Sequence, residues 1–314
     1  MAVDPFERCF VSDTDLPADG VPLTVDELWI YPVKSCAGLR VRSATLLDTG
    51  LEWDRTWMVV GPDGVFVTQR EHPRMALVQP RLHMGRLELR APGMLPLLLA
   101  LDAAEGPCQV RVWDDTLAAY DMGDTAAQWF TDFLAPDGLP NGGRLRLARF
   151  DPEVRRLSSF KWTGGLEAPN QFGDGFPLLV VSQASMADLN QRLAARGLAP
   201  VDVRRFRPNL VLGGVEAHDE DRFTSLHWEG AGAAGEAGAV LLQPVKPCPR
   251  CPIPDIDPDT GAPGQGVGAT LQTYRADVRV GGALTFGMNV IVRKGAEAVL
   301  AEGQPGVGVW GGWA

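Results

Sequence analysis

Cysteine and histidine are scarce in this chain, which has five and four of them among 314 residues. A small, odd number of cysteines excludes a disulfide-stapled scaffold and indicates a reducing compartment, so we expect a cytoplasmic protein. With so few histidines and no G-x-S-x-G segment, no hydrolase pattern is present. The cysteines are Cys9, Cys36, Cys108, Cys248 and Cys251.

Positive charge is also in short supply, because 29 basic residues face 39 acidic ones and the net charge is −10. Nucleic-acid binding requires a basic face, so we expect no nucleic-acid partner. The overall charge still leaves room for a local basic pocket that holds one small anion.

Long hydrophobic runs are missing as well. The longest apolar run is about eight residues, around 94–101, and is interrupted by Pro96, whereas a membrane span needs roughly 20. The N-terminus has neither the basic nor the apolar region of a secretory signal. We therefore expect no membrane span.

Glycine and proline, with 36 and 25 residues, make up about a fifth of the chain. Such a turn-rich chain favours short strands over long helices. Leu87 and Leu89 alternate with polar neighbours, which is the period of a half-buried strand, and the GPDG turn at 61–64 predicts a hairpin. Strands at this spacing predict a mainly β (α+β) fold with a sheet closed into a barrel or sandwich.

Two helices are predicted. One covers residues 125–134 with Asp124 as its N-cap, and the other covers residues 182–196 and stops at Gly197. Low-complexity segments at 230–238 and 261–269 are predicted to be exposed loops. The predicted organisation is a lead-in at 1–21, a first domain at 22–150, a second at 151–295 and a flexible tail at 296–314.

The strongest local feature is the C-x₂-C pair of Cys248 and Cys251. A zinc site would need two further ligands at suitable spacing, and a thioredoxin-like pair would need a helix that Pro252 and Pro254 forbid. A third interpretation is one reactive thiolate in a rigid loop, favoured electrostatically by Arg250. A purely structural turn remains open.

Three other segments combine cations, hydroxyls or glycines with a strand end. Residues 31–38 offer a lysine and a serine that can hold a phosphate, or else a solvated lysine in a turn. Residues 204–209 carry three arginines that can bind an anion, or else pair with Glu216 or Asp219. Residues 171–182 place Asp174 between glycines, close to a ligand or in a plain turn.

Together these segments resemble the MOSC family, in its two-domain branch with an N-terminal β-barrel domain. That branch includes the mitochondrial amidoxime-reducing component and bacterial reductases of N-hydroxylated compounds. The resemblance spans roughly residues 24–293 and implies an N-terminal β-barrel-like domain followed by a MOSC β-barrel with a few helices. Its carriers are residues 31–38, 54–60, 172–190, 205–209 and 248–261.

The resemblance further implies a pterin-based molybdenum cofactor whose metal binds the Cys251 sulfur, a soft ligand for a soft centre. Cys248 is then structural or supporting, and Asp174 lies near the metal as a second catalytic residue. Phe176 stands where the family has a hydroxyl-bearing residue. The residues implied to bind the cofactor are Lys34, Ser35, Arg55, Arg207, Asn209 and Arg250, of which Arg55 is singled out by the resemblance alone.

The implied activity is a molybdenum-dependent oxidoreductase that removes oxygen from N-hydroxylated or N-oxide compounds. No cysteine follows Cys251, so the chain lacks the ligands of an iron–sulfur domain found in longer bacterial relatives. We therefore expect a separate electron donor, either a ferredoxin or a flavoprotein reductase. The alternative is a carrier of persulfide or of the cofactor that has no reductase turnover.

Overall fold

The computed structural model describes residues 17, 19–140, 142–232 and 237–311. Strands dominate the described residues, as the turn-rich composition predicts, and four α-helices accompany them. The strands are β1 Val21–Ile30, β2 Leu39–Val41, β3 Ser43–Leu47, β4 Gly50–Leu51, β5 Trp57–Val60, β6 Gln79–His83, β7 Arg86–Arg90, β8 Leu97–Ala100, β9 Gly106–Val112, β10 Asp115–Asp121, β11 Arg146–Phe150, β12 Leu178–Ser182, β13 Leu210–Gly213, β14 Phe223–Gly232, β15 Ala237–Pro249, β16 Ala276–Asp277, β17 Ala283–Lys294, β18 Ala298–Ala301 and β19 Pro305–Trp310. The helices are α1 Asp124–Leu134, α2 Phe160–Thr163, α3 Gln183–Ala195 and α4 Gly266–Leu271.

Seven strands close into a barrel. Their order is β15-β17-β12-β13-β1-β19-β14, and β14 pairs again with β15. Inward side chains such as Leu28, Val180 and Trp228 are fully buried, which follows from the alternation of faces along a strand. A bulge in β1 between Val25 and Glu27 shifts that alternation by one residue.

One connection of the barrel runs between parallel strands. β12 and β13 are parallel, and α3 covers the crossover between them. The apolar stripe of α3, which includes Leu189 and Leu193, packs on the outside of the barrel against Phe206 and Phe286. Ser182 Oγ accepts a hydrogen bond from Ser185 N at 3.0 Å and caps this helix, which confirms the predicted bounds of α3.

The first half of the chain builds two smaller sheets, β5-β11-β10-β9 and β6-β7-β8. The helix α1 packs into their shared core through Phe130 and Phe133. Its N-cap is Gly123 at φ +90°, and Asp124 is the first helical residue. The predicted N-cap was therefore one residue too late, because the glycine supplies a left-handed turn that the aspartate would not.

The predicted flexible tail is wrong for the residues that the structure describes. β18 pairs with β3, and β19 lies between β1 and β14 inside the barrel wall. Alternating small and branched residues, Gly306 to Val309, fit this position because a Cβ at Gly306 or Gly308 would overlap an aromatic ring of β14. Tail residues 312–314 lie outside the described residues.

Of the two predicted loops, the one at 261–269 is partly wrong, since α4 begins at Gly266. The loop at 230–238 lies on the β14–β15 hairpin, where Gly230 pairs with Gly238, and residues 233–236 fall outside the description. The lead-in is likewise outside it through residue 16, and Val21 already begins β1.

The division of the chain near residue 150 stays a prediction. β1 and β3 belong to the predicted first domain, yet β1 pairs with β13 and β19, and β3 pairs with β18. Within the described ranges, no helix is both long and apolar enough to cross a membrane.

Candidate functional site

A cleft of ≈ 280 Å³ opens where the ends of the barrel strands meet the sheet of β5. It is lined by the segments after β1, between β4 and β5, before β12, before β13 and after β15. These segments are far apart in sequence, and strand pairing such as the Val33–Trp57 bridge brings them together. The cleft contains every residue that the sequence analysis nominates: Lys34, Ser35, Arg55, Asp174, Arg207, Asn209, Arg250 and Cys251.

Lys34 is a buried cation rather than a solvated lysine. Its side chain is only 6 % exposed, and its Nζ donates to the Phe172 carbonyl at 2.9 Å and to Asp174 Oδ1. The Asp174 side chain is 76 % exposed and lies in the open cleft. The buried lysine therefore fixes the exposed carboxylate at the surface of the cleft.

The two partners shift each other's titration. Burial lowers the pKa of Lys34, and the neighbouring Asp174 carboxylate opposes that effect. The surrounding protein disfavours the charged form of Asp174, but the charges of Lys34, Arg55 and Arg207 outweigh this and place its pKa well below the usual range. Asp174 is thus ionised and can only accept hydrogen bonds.

Arg55 is held in place by three protein groups. Its Nη1 donates to Asp54 Oδ2 at 2.5 Å and to Asn209 Oδ1 at 3.0 Å, and its Nη2 donates to the Arg207 carbonyl at 3.0 Å. Asp54 is itself fixed because its Oδ1 accepts from Tyr31 N at 2.8 Å. This network gives the guanidinium one orientation at the cleft.

Asn209 is 1 % exposed, and the protein satisfies its amide. Besides Arg55, its Oδ1 accepts from Leu179 N at 3.1 Å, and its Nδ2 donates to the Trp29 carbonyl at 3.2 Å. Asn209 thereby joins β1, β12 and β13 at the floor of the cleft. Its hydrogen bond to Arg55 also helps to fix that guanidinium at the cleft.

Two arginines lie over the ring of one tyrosine. The Cζ atoms of Arg55 and Arg207 lie 4.4 and 4.3 Å from the ring centroid of Tyr31, a cation–π arrangement. Burial and the charge of Arg55 both lower the pKa of Arg207, although a guanidinium stays charged. Two like charges so close together create a site of strong positive potential, which an anion would neutralise.

The end of β15 and the loop after it present the two cysteines differently. Cys251 is exposed in the cleft, whereas Cys248 is partly buried, and burial raises the pKa of its thiol. Arg250 donates from Nε and Nη2 to the Phe286 carbonyl and from Nη1 to the Phe206 carbonyl. Arg250 therefore anchors the Cys251 loop to the backbone at Phe206 and Phe286.

The alternatives for these segments can now be compared with the geometry. The described residues contain no group of three or more His, Cys, Asp and Glu that could hold a metal ion, which argues against the zinc interpretation. Arg204 and Arg205 form ion pairs with Asp259 and Asp257. They do not pair with Glu216 or Asp219, the partners that the sequence suggests.

Backbone strain concentrates at this cleft. Eight described residues other than glycine have positive φ, and four of them line it. Such conformations are costly for side chains with a Cβ and tend to occur at functional sites. The four are Ser35 at φ +65°, Arg55 at +50°, Trp113 at +55° and Arg207 at +58°.

Several residues of the cleft escape sequence reasoning. Arg70 and Trp113 line it from the first half of the chain. Arg156 is buried and donates to Asn170 Oδ1 and to the carbonyls of Gln171 and Gly173, so it shapes the turn that carries Asp174. No motif marks these residues. Sequence reasoning also missed Tyr31, whose ring lies under Arg55 and Arg207. The proline that follows Tyr31 indicates only the end of a strand.

The side chains that line the cleft suit an anionic cofactor whose metal takes most of its ligands from the cofactor itself. One exposed thiol is available to a metal, and Lys34, Arg55 and Arg207 supply positive charge beside it. A phosphate-bearing, sulfur-rich metal cofactor therefore fits this cleft.

The fold and the cleft define a β-barrel protein with an exposed cysteine and several cationic side chains at the end of its barrel. The chain belongs to the MOSC family: residues 22–137 match the MOSC N-terminal beta barrel domain and residues 167–307 match the MOSC domain. This confirms the resemblance and the expected fold class.

Curated relatives agree with this assignment. The chain is 36 % identical to mitochondrial amidoxime reducing component 2 of Bos taurus, over 80 % of this chain and 72 % of that protein. It is 33 % identical to mitochondrial amidoxime-reducing component 1 of Homo sapiens, with the same coverage. It is 27 % identical to the molybdenum cofactor sulfurase of Bos taurus, over 80 % of this chain but only 29 % of that protein.

Proposed function

We propose that this protein binds a pterin-based molybdenum cofactor in the cleft and reduces N-hydroxylated compounds or N-oxides. The observation that carries the proposal is the exposed Cys251 thiol beside the buried Lys34 and the Arg55–Tyr31–Arg207 stack. The names of the relatives, amidoxime reducing component and molybdenum cofactor sulfurase, support the same chemistry.

The chain's own residues divide the work of holding the cofactor. Cys251 would give its thiolate to the metal, a soft ligand for a soft centre. Arg55 and Arg207 would bind the anionic part, with Lys34 and Ser35 lining the same cleft. Asn209 and Arg250 would act as positioning residues, because Asn209 holds the Arg55 guanidinium and Arg250 ties the Cys251 loop to the Phe206 carbonyl.

When bound, the cofactor supplies the two-electron chemistry that removes oxygen from an N–OH or N-oxide group. The ionised Asp174 would accept a hydrogen bond from the substrate's N–OH and orient it. Lys34 Nζ holds a proton against Asp174 Oδ1 at the same place. Electrons would come from a separate donor, either a ferredoxin or a flavoprotein reductase.

A carrier of persulfide or cofactor is the second candidate. The exposure of Cys251 favours it, since an accessible thiol can pass on a sulfur atom. The molybdenum cofactor sulfurase among the relatives shares this region of the chain.

Elemental analysis of protein purified from a host that makes the cofactor tests the proposal. We expect about one molybdenum per chain, by the single-site stoichiometry of one cysteine ligand, and its loss in Cys251→Ala. Cys248→Ala is the matched control and should keep its molybdenum, because its thiol is partly buried. Persulfide on Cys251 without molybdenum would support the carrier instead.

Turnover is measured anaerobically with an N-hydroxylated amidine. Reduction is expected when a ferredoxin or flavoprotein donor is supplied. Turnover with purified protein and NADH alone would refute the separate donor, and molybdenum-loaded protein that is inactive with every donor would refute the reductase.

A further inference from the structure

Trp113 is an unusual residue for its position. β9 and β10 are joined by a two-residue turn, in which Asp115 pairs with Val112. The first turn residue needs a positive φ, for which glycine, asparagine and aspartate are the favoured residues. Here that residue is a tryptophan at φ +55°, with 43 % of its surface exposed. Neither the turn nor the core explains a large aromatic ring at this place.

The indole lies in the lining of the Cys251 cleft. Its ring centroid is 5.0 Å from that of Phe66, and Arg70 Cζ lies 4.9 Å from it. The two neighbours hold the ring although its backbone is strained, which is the pattern expected where strain serves function.

A second aromatic ring lines the cleft from another segment. Phe176 is partly exposed, and Lys246 Nζ lies 5.7 Å from its ring centroid. Like Trp113, it has a cation against its ring and belongs to no buried core cluster of the described residues. Phe206, the other aromatic of the lining, is buried against Phe286 and is not available to a ligand.

We propose that Trp113, with Phe176, forms an aromatic contact for the organic part of the substrate and selects N-hydroxylated compounds that carry a planar aryl group. An aromatic ring stacks well on a flat aryl group and gains much less from contact with a methyl group. The inference rests on the proposed reductase function and adds the class of substrate and the residues that select it.

The test compares benzamidoxime with acetamidoxime on cofactor-loaded protein and a saturating electron donor. In Trp113→Ala, KM for benzamidoxime should rise roughly 3- to 10-fold, as expected for one lost aromatic contact. The kcat for both compounds and the KM for acetamidoxime should stay as in wild type. Calorimetric binding of benzamidoxime without donor should weaken by the same factor.

Two further variants keep the result interpretable. Trp113→Gly removes the backbone strain, so it should unfold at the same or a higher temperature and still lose aryl preference. Trp310→Ala is the matched control, because Trp310 is 46 % exposed and does not line the cleft. Like Trp113, it has an arginine against its ring, with Arg222 Cζ 4.5 Å from the ring centroid. It should change neither KM.

If Trp113→Ala changes the KM of benzamidoxime and acetamidoxime equally, or changes neither, the proposed aromatic contact is overturned. An effect of Trp113→Ala that appears only in the KM for the electron donor would replace it with a donor-docking role. If wild-type protein with molybdenum turns over neither amidoxime, the reductase function fails, and this inference fails with it.

Discussion

At the residue scale, two ion pairs of this protein have similarly exposed carboxylates but cations that differ in burial. Asp174 and Asp124 have almost equal side-chain exposure, 76 % and 79 %. Asp174 pairs with a lysine that is 6 % exposed, whereas Asp124 pairs with Arg146, which is 36 % exposed. Water screens both charges of the Arg146–Asp124 pair but reaches only the carboxylate of the Lys34–Asp174 pair. Neutralising the carboxylate should therefore change the free energy of unfolding more for Asp174 than for Asp124.

We predict that Asp174→Asn lowers the free energy of unfolding by about 1 kcal/mol at pH 7, because Lys34 loses its counter-ion. Asp174 has a depressed pKa in the folded state, so its contribution is full above the ordinary value of 3.8. The contribution decreases below that pH and is lost as the pH falls through the lower folded-state pKa. The difference between variant and wild type should therefore shrink in acid. Urea unfolding at pH 7 and pH 3 measures it.

Asp124→Asn is the control and should stay within about 0.5 kcal/mol of wild type at pH 7. A difference for Asp174→Asn that is as large at pH 3 as at pH 7 would contradict the ionised Lys34–Asp174 pair.

At the element scale, two strands of the barrel approach so closely that one residue between them must be glycine. Gly287 in β17 has φ +76°, and a Cβ there would lie 2.5 Å from the Val180 carbonyl oxygen of β12. That oxygen cannot shift easily, because it belongs to the backbone of β12, which is paired with a strand on each side. β12 leads from the cleft to α3, so its position matters for Leu178 and Leu179 in the lining.

We predict that Gly287→Ala destabilises the protein by about 3 kcal/mol, through steric overlap added to left-handed strain. Gly281→Ala separates the two causes. Gly281 also has positive φ, at +69°, but nothing lies within 4 Å of its Cβ position, so about 1 kcal/mol is expected. Equal losses in the two variants, measured by urea denaturation, would show that the close approach does not matter.

At the scale of the whole molecule, the barrel is closed by a strand from near the end of the chain. β19 fills the place between β1 and β14, and without it both strands would be left with open edges. β1 leads directly into Lys34 and Ser35, so closing the barrel also fixes one side of the cleft.

We predict that deleting residues 303–314 abolishes cooperative unfolding and molybdenum binding together, since it removes a central strand. Trp310→Ala, which removes only an exposed side chain of that strand, should unfold as wild type does. A truncated chain with the same unfolding midpoint as the full chain would contradict this role of β19.

The sequence by itself determined the local elements and the chemistry available. Apolar periodicity predicted the helix α3, and alternation predicted β7, because these patterns depend on neighbours a few residues away. The residues that converge on the cleft were also recognisable, since their types and order match a family with a common site. Local patterns suffice where the interacting groups are close in sequence.

Only the tertiary structure decided which groups face each other and which are already satisfied. It placed β19 in the barrel, although glycine-rich sequence reads locally as a tail, because pairing with β1 and β14 outweighs weak strand propensity. It showed that Asn209 and Arg250 hydrogen-bond to distant parts of the protein and that Trp113 joins the cleft. The Asn209 contacts alone link residues 30 and 180 positions apart, and no local pattern records contacts of that kind.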